Sequence, residues 1–447
     1  MVVVPNKAAG KPVTEIGNGS KSICSRTGFS DKEYVSPALR KIVIPEGVTS
    51  VNANALSLIN AGSEVVLPPT LKRLGHNAMS SFVKIGELPE GLEVLQEDCL
   101  GNFENRPFVV TPSIRYIDSQ AFGIHDVSAF EQRGDNDYYS VKDGVLFNAD
   151  GTVLVKYPGN REEKEYVIPE GTLKIEPEAF ASCDYLEKIS LPGSLKVIGE
   201  LAFWSCRALE EIEYSEDTMI VTIGESAFNS CGSLKEIELP PVKVIKRDAF
   251  GYCSSLHTVH LSEGTIEIDN YVFSHTAVSA PVFPKSLKKI GDYVFGTDSF
   301  ADGVLSGSAE VIRIPAGLTE IGHRAFGQIG NTRFEVDPEN TEFSEEDGLL
   351  LDADGNYLIL CPPGRNGIVE VPEGVTAIRG DAFDRAYGVT DIVIPESVIY
   401  IEDLGIAEYG IRENGELTQL APVTIHCKEG SFAEQYAIRK GIPYEAE

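Results

Sequence analysis

Two pairs of glutamates stand one repeat apart: Glu211 and Glu213 in "EEIEY", Glu236 and Glu238 in "KEIEL". Carboxylates two residues apart in an alternating run share one side of a strand. There they could bind a cation or a basic partner, or act as an acid and base on a glycoside. Cys183, Cys206, Cys231 and Cys253 recur at similar spacing, and a thiol there is a nucleophile, a metal ligand, half of a disulfide or a packing group. His257 and His260 form H-x-x-H, and Cys253 with His257 suggests a thiol–imidazole pair. Trp204, the single tryptophan, follows Phe203 where other copies carry Asn229, Gly251 or Ser274. It either anchors a partner or packs over a neighbouring rung.

The repeat that carries these residues decides between the readings. Segments beginning at Ile175, Ile198, Ile223 and Ile245 align on I-x-x-x-A-F-x-x-C-x-x-L-x-x-I-x-L-P. A phenylalanine column runs through Phe180, Phe203, Phe228, Phe250, Phe273, Phe295 and Phe326. Degenerate copies extend it to Leu56, Met79, Leu100 and Phe122 on one side and to Phe383 and Ile406 on the other, thirteen positions in all. A period of this length marks a solenoid, whose units bury their apolar faces only by stacking. Alternation in Leu234, Ile237 and Leu239 against Glu236 and Glu238 predicts one strand per repeat in a parallel sheet, ended by Pro240 and its equivalents. The expected fold is therefore a leucine-rich-repeat-like solenoid, mainly β with short helical turns, of about thirteen rungs.

In this frame the four cysteines occupy one equivalent position three residues after the column Phe, where a packing thiol is the leading reading. A rung-to-rung disulfide and a reactive role are the alternatives. Cys24, Cys99, Cys361 and Cys427 lack zinc-type spacing. His257 and His260, at odd spacing on a strand, are expected on opposite faces, where they cannot readily chelate one metal. The four glutamates should share one patch with Thr258 and His260 beyond them and Lys188 and Ser190 before them. That patch is a candidate binding face for a cation or basic partner, while a plain solvated surface is the leading reading. A flat ladder has no pocket to separate two carboxylate pKa values, and no phosphate loop or nucleophile elbow occurs. We expect no enzyme, no metal and no cofactor.

The column breaks between Phe122 and Phe180 and between Phe326 and Phe383. Each break holds an Asp-Gly pair (Asp143–Gly144, Asp347–Gly348) followed by Ala-Asp-Gly, which predicts a β-hairpin insert. The clustered carboxylates of "NADG" and "DADG" lack the further ligands of a calcium loop. Ser431, Glu434, Lys440, Gly441 and Pro443 outline a C-terminal capping helix. The expected organisation is 1–38, an N-terminal cap or partly disordered segment; 39–123, degenerate repeats; 124–167, insert; 168–328, regular repeats; 329–370, insert; 371–427, further repeats; and 428–447, capping helix and tail.

Against 38 Lys and Arg stand 68 Asp and Glu, a formal charge of -30. Such a chain repels phosphate backbones and anionic membranes, so neither nucleic acid nor membrane insertion is expected. No run reaches the length of a membrane helix. The start, "MVVVPNKAAG", is not a signal peptide, so a cytoplasmic location and a removed leader both stay open.

With its Ala-Phe-x-x-Cys-x-x-Leu-x-x-Ile-x-Leu-Pro template, its Asp-Gly inserts and its "GSFAEQYAIRKGIPY" ending, the chain resembles the BspA-like leucine-rich repeat family over residues 39 to 445. The resemblance implies a right-handed solenoid, secreted or surface-displayed in bacteria, that adheres to protein or glycan partners without catalysis. It supplies no catalytic residues. The alternative is an intracellular structural or self-assembling scaffold.

Overall fold

The computed structural model describes residues 2–17, 40–56, 63–79, 84–100, 104–122, 127–215, 217–296, 309–403, 405–406, 412–413, 416–417 and 423–447. Two compact units divide the chain, Met1–Leu209 and Glu210–Glu447. Each is a parallel-strand β-solenoid.

Most regular repeats supply two strands rather than the single one expected. In the second unit one parallel ladder runs Ile220–Ile223, Val242–Ile245, Glu267–Ile268, Lys289–Ile290, Glu320–Ile321, while a separate ladder pairs Glu236–Leu239 with Thr258–Leu261. The second strand escapes the sequence pattern because it is often two residues long, one outward and one inward, as in Lys174–Ile175 and Val197–Ile198. Between the two strands the proline carbonyl closes a tight corner: Leu195 N donates to Pro192 O at 3.1 Å and Leu287 N to Pro284 O at 3.1 Å.

The Ala-Phe corner forms the third side and is itself a ladder. Phe180 N donates to Ala202 O at 2.7 Å, and Phe250 N to Val272 O at 2.9 Å. In the regular rungs the residue two before the column Phe is left-handed, as are Glu178, Asp248 and Tyr271. This conformation is unfavourable for residues with a Cβ, and an inter-rung bond such as Tyr271 N to Asp292 O, 2.9 Å, offsets it. All thirteen column positions are buried, from Leu56 to Ile406. Consecutive phenylalanines stack nearly parallel, at 4.6 Å for Phe180 and Phe203 and 5.1 Å for Phe228 and Phe250.

The described cysteines are free, and all but the half-buried Cys427 are buried. Cys206 Sγ donates to Phe180 O at 3.0 Å and Cys253 Sγ to Phe228 O at 3.1 Å. The thiol thus packs as a small hydrophobe and also satisfies the carbonyl of a Phe in another rung, which alanine could not do. Burial drives the Cys183 thiol well above its usual range, and the Cys361 thiol to about 12, so neither supplies thiolate at neutral pH. Cys24 lies outside the described residues.

Both inserts are three-stranded antiparallel meanders whose last strand joins a parallel ladder. The first is Tyr139–Lys142, Val145–Asn148, Val153–Lys156; the second is Phe343–Glu346, Leu349–Asp352, Tyr357–Leu360. Asp143 and Gly144 have φ of 52° and 73°, and Asp347 and Gly348 of 49° and 75°, the doubly left-handed turn that Asp-Gly favours.

At the start of the chain, Val2–Val3 pairs with Lys41–Val43 and Glu15–Ile16 with Ser50–Val51, so residues 2–17 add strands to both ladders despite lacking the repeat; residues 18–38 lie outside the described residues. At the other end, the helix Phe432–Lys440 is capped by Ser431, whose hydroxyl accepts from Glu434 N, and stopped by left-handed Gly441. Its Ala433, Tyr436 and Ala437 complete the core around Ile392, Ile394 and Ile425.

Candidate binding face

The strand Glu236–Leu239 turns Ile237 and Leu239 inward and both glutamates to solvent. Its register with Thr258–Leu261 sets Glu236 beside Thr258 and Glu238 beside His260. His260 is in turn bridged to Val282, so one outward row reads Glu238, His260, Val282. Among the described residues, neither Glu236 nor Glu238 has a cation within ion-pair distance. Some other outward carboxylates are neutralised: Lys41 meets Glu64 at 2.8 Å in the first unit and Arg313 meets Glu335 at 3.2 Å in the second.

Glu211 and Glu213 are also exposed, on Glu211–Tyr214. That strand lies beside Glu236–Leu239, but among the described residues no hydrogen-bonded ladder joins the two. The structure therefore gathers Glu236, Glu238 and His260 into one register and leaves the other two glutamates on an adjoining strand outside that ladder. The cause is local: the step from Phe203 to Phe228 is 25 residues, and the strand-ending Leu-Pro is replaced by Tyr214-Ser215.

Lys188 and Ser190 belong to the first unit, in register with Glu165 and Val167. Trp204, also in the first unit, is half-buried; its carbonyl accepts from Ser182 N at 2.7 Å. His257 does not face the core, because it precedes the strand beginning at Thr258; it is exposed and its Nδ1 lies 2.9 Å from Thr258 Oγ1. No group of three or more metal-ligating side chains occurs among the described residues.

A groove that the sequence reading missed interrupts the same face. Beyond Val282 the ladder stops and resumes with Val311–Ile314 paired to Arg333–Val336, and a cavity of about 480 Å³ opens between. Val282, Phe283, Val311, Arg313, Glu335 and Pro338 are among its lining residues. Its only sequence signal is the lengthened step from Phe295 to Phe326. The flat ladder expected for this face is thus broken by a hollow whose walls are mostly apolar, with charged side chains among them.

The sequence matches the profile of the BspA type leucine-rich repeat region in six copies, over residues 27–131, 173–301 and 221–346. A leucine-rich cell surface protein of Faecalibacterium prausnitzii is 26% identical, with a TM-score of 0.50 over 60% of this chain and 73% of its own. A leucine-rich repeat protein of Eubacterium ventriosum has the same fold at 19% identity, with a TM-score of 0.54 over 69% of this chain and 86% of its own. No curated protein matches the sequence. Repeat template, two-stranded rungs and profile agree: the chain belongs to the BspA-type leucine-rich repeat family.

Proposed function

We propose that this protein is a non-enzymatic adhesive scaffold, displayed at a bacterial surface, that holds a protein or glycan partner on the strand face of its second unit. The observation that carries this reading is the uncompensated acidic row, Glu236 and Glu238 beside His260, leading through Val282 into the apolar groove. Two carboxylates on one strand with no cation within ion-pair distance repel each other, and a basic partner would relieve that cost. The similarity to a cell surface protein supports display. Rigid stacked rungs supply a pre-ordered face, which lowers the entropy lost on binding.

The test is binding to immobilised matrix proteins and glycans at low and high salt, alongside a variant with Glu211, Glu213, Glu236 and Glu238 all changed to Gln. Salt-sensitive binding that disappears in the variant supports the proposal. Binding by neither form would favour a structural, self-assembling scaffold instead.

A further inference from the structure

A second outward feature lies on the Ala-Phe corner, away from the strand face. In three successive rungs of the second unit the residue before the Cys position is left-handed: Ser230 (φ 63°), Tyr252 (φ 59°) and His275 (φ 55°). Ser230 N donates to Gly251 O and Tyr252 N to Ser274 O, each at 2.9 Å, so the three side chains leave the corner in one column. Tyr252 and His275 stack, with ring centres 4.2 Å apart and planes 12° from parallel. The stack ends at Tyr252, because the next member of the column is a serine. One face of the phenol is covered by His275 and the other looks over Ser230, and the residue is 51% exposed. A bulky residue in this conformation is costly, and a serine is already accommodated one rung away.

The surroundings of the open ring face are polar and small. Ser230 Oγ donates to Asn229 Oδ1 at 2.7 Å, and among the described residues the Asn229 amide N–H groups make no hydrogen bond. Ser254 is exposed nearby in sequence. A side chain at Gly251 would come within 2.6 Å of Asp248 Oδ1 and 3.0 Å of Asn229 Nδ2, so glycine there keeps a carboxylate and an amide uncovered by a neighbouring Cβ. A protein hot spot surrounds its aromatic anchor with a desolvating ring of contacts, and this setting of hydroxyl and amide groups does not offer one. Hydroxyls matched to scattered donors and acceptors, with an apolar C–H face for the phenol, describe a sugar. A pyranose is about as thick as the ~4.8 Å rung spacing and would take the place of the missing ring. The chain's charge of -30 disfavours sialylated or sulfated sugars.

We propose that the open ring face of Tyr252, over Ser230 and Asn229, is a stacking site for a neutral pyranose. This site is independent of the strand face, and the four-glutamate variant should bind sugar as well as the wild type does. The test is saturation-transfer NMR and titration of the full chain with neutral trisaccharides of glucose, galactose, mannose and N-acetylglucosamine. One of them should receive transfer on its axial C–H protons. Tyr252→Ala should weaken its binding roughly tenfold or more, while Tyr252→Phe keeps it within about threefold. Ser230→Phe, which extends the stack into the same space without removing the phenol, should abolish binding while the circular dichroism spectrum of the folded chain is retained. Absence of transfer to all four sugars, or unchanged binding in Tyr252→Ala or Ser230→Phe, overturns the proposal. So does peptide binding that Tyr252→Ala removes while sugars fail to compete, which would place a protein side chain on the ring.

Discussion

In the first unit Asn136 holds the entry to the insert: its Nδ2 donates to Thr111 O and Ile114 O at 2.7 and 2.8 Å, and its Oδ1 accepts from Tyr138 N and Tyr139 N. In the second unit Asn340 makes the same four bonds, to Pro315 O, Leu318 O, Glu342 N and Phe343 N. Arg161 donates to Asp143 O and Arg365 to Asp347 O across the Asp-Gly turns. The meanders are copies of one device, yet the rungs on either side of them are joined by different chemistry. Gln120 meets Glu178 across the first insert, and the buried Lys156 donates to Glu178 O at 2.8 Å. Across the second, Asp381 accepts from Arg324 N at 2.6 Å and from Arg379 Nε at 2.6 Å, and Arg379 reaches Ile321 O at 3.2 Å. Arg324 also faces Asp384 at 3.2 Å, and Leu360 stands where the first insert has Lys156. Closing a long excursion requires only that the flanking rungs find each other; a neutral amide with a carboxylate and a buried ion network both achieve it.

The largest expected effect separates the two junctions. Asp381→Ala leaves Arg379 buried without its partner and should cost about 3–5 kcal/mol, whereas Glu178→Ala should cost about 1 kcal/mol. Equal shifts in urea midpoint would erase the distinction. Next is the column itself. Tyr157 fills it in the first insert, stacked on Phe180 at 4.8 Å, while Cys361 bonds to Ala382 O in the second as Tyr157 does to Ala179 O. Tyr157→Cys should therefore lose about 3 kcal/mol through the cavity it leaves, read by thermal unfolding.

Asn136→Ala and Asn340→Ala sharpen the likeness. Each orphans two carbonyls and two amides, so each should cost about 1–3 kcal/mol, with the two losses matching within error in chemical denaturation.

The smallest effect concerns the buried amine. Burial lowers the Lys156 pKa from its ordinary value, so the folded state holds that proton less tightly than the unfolded chain. Its contribution to stability should rise as pH climbs from the lowered value to the ordinary one. Lys156→Leu should abolish that rise and stabilise the first unit by about 1 kcal/mol at neutral pH. At the second junction the sign reverses. Burial raises the Asp384 carboxyl, against the opposing pull of Arg324 and Arg385, so stability should fall as pH rises from the ordinary carboxylate value to the raised one. Denaturation midpoints across pH for wild type, Lys156→Leu and Asp384→Asn test both slopes.

How much of this could be read from the residues depended on distance along the chain. Asp143–Gly144 and Asp347–Gly348 announce their turns because the conformation is encoded in two adjacent residues. The Phe and Cys columns are legible because stacking repeats them at a near-constant period. Arg379 and Asp381 look like any exposed pair, since the groups that bury them, His323 and Arg324, lie more than fifty residues earlier. The second strand of each rung was hidden by its length, and the groove beside Val282 by a change in period that does not say on which side the ladder will part.

By itself the sequence determined that the chain stacks: an apolar position that recurs every rung has no way to leave water except against its own copies, and Pro, Gly and Asp-Gly set where each rung bends. It also determined that Cys183, Cys206, Cys231 and Cys253 belong inside. Only the tertiary structure decided which outward carboxylates share a register, since Glu236 and Glu238 pair with Thr258 and His260 while Glu211 and Glu213 do not join that ladder. Register between strands depends on the length of every corner between them, and a few added residues cancel it without disturbing the buried column.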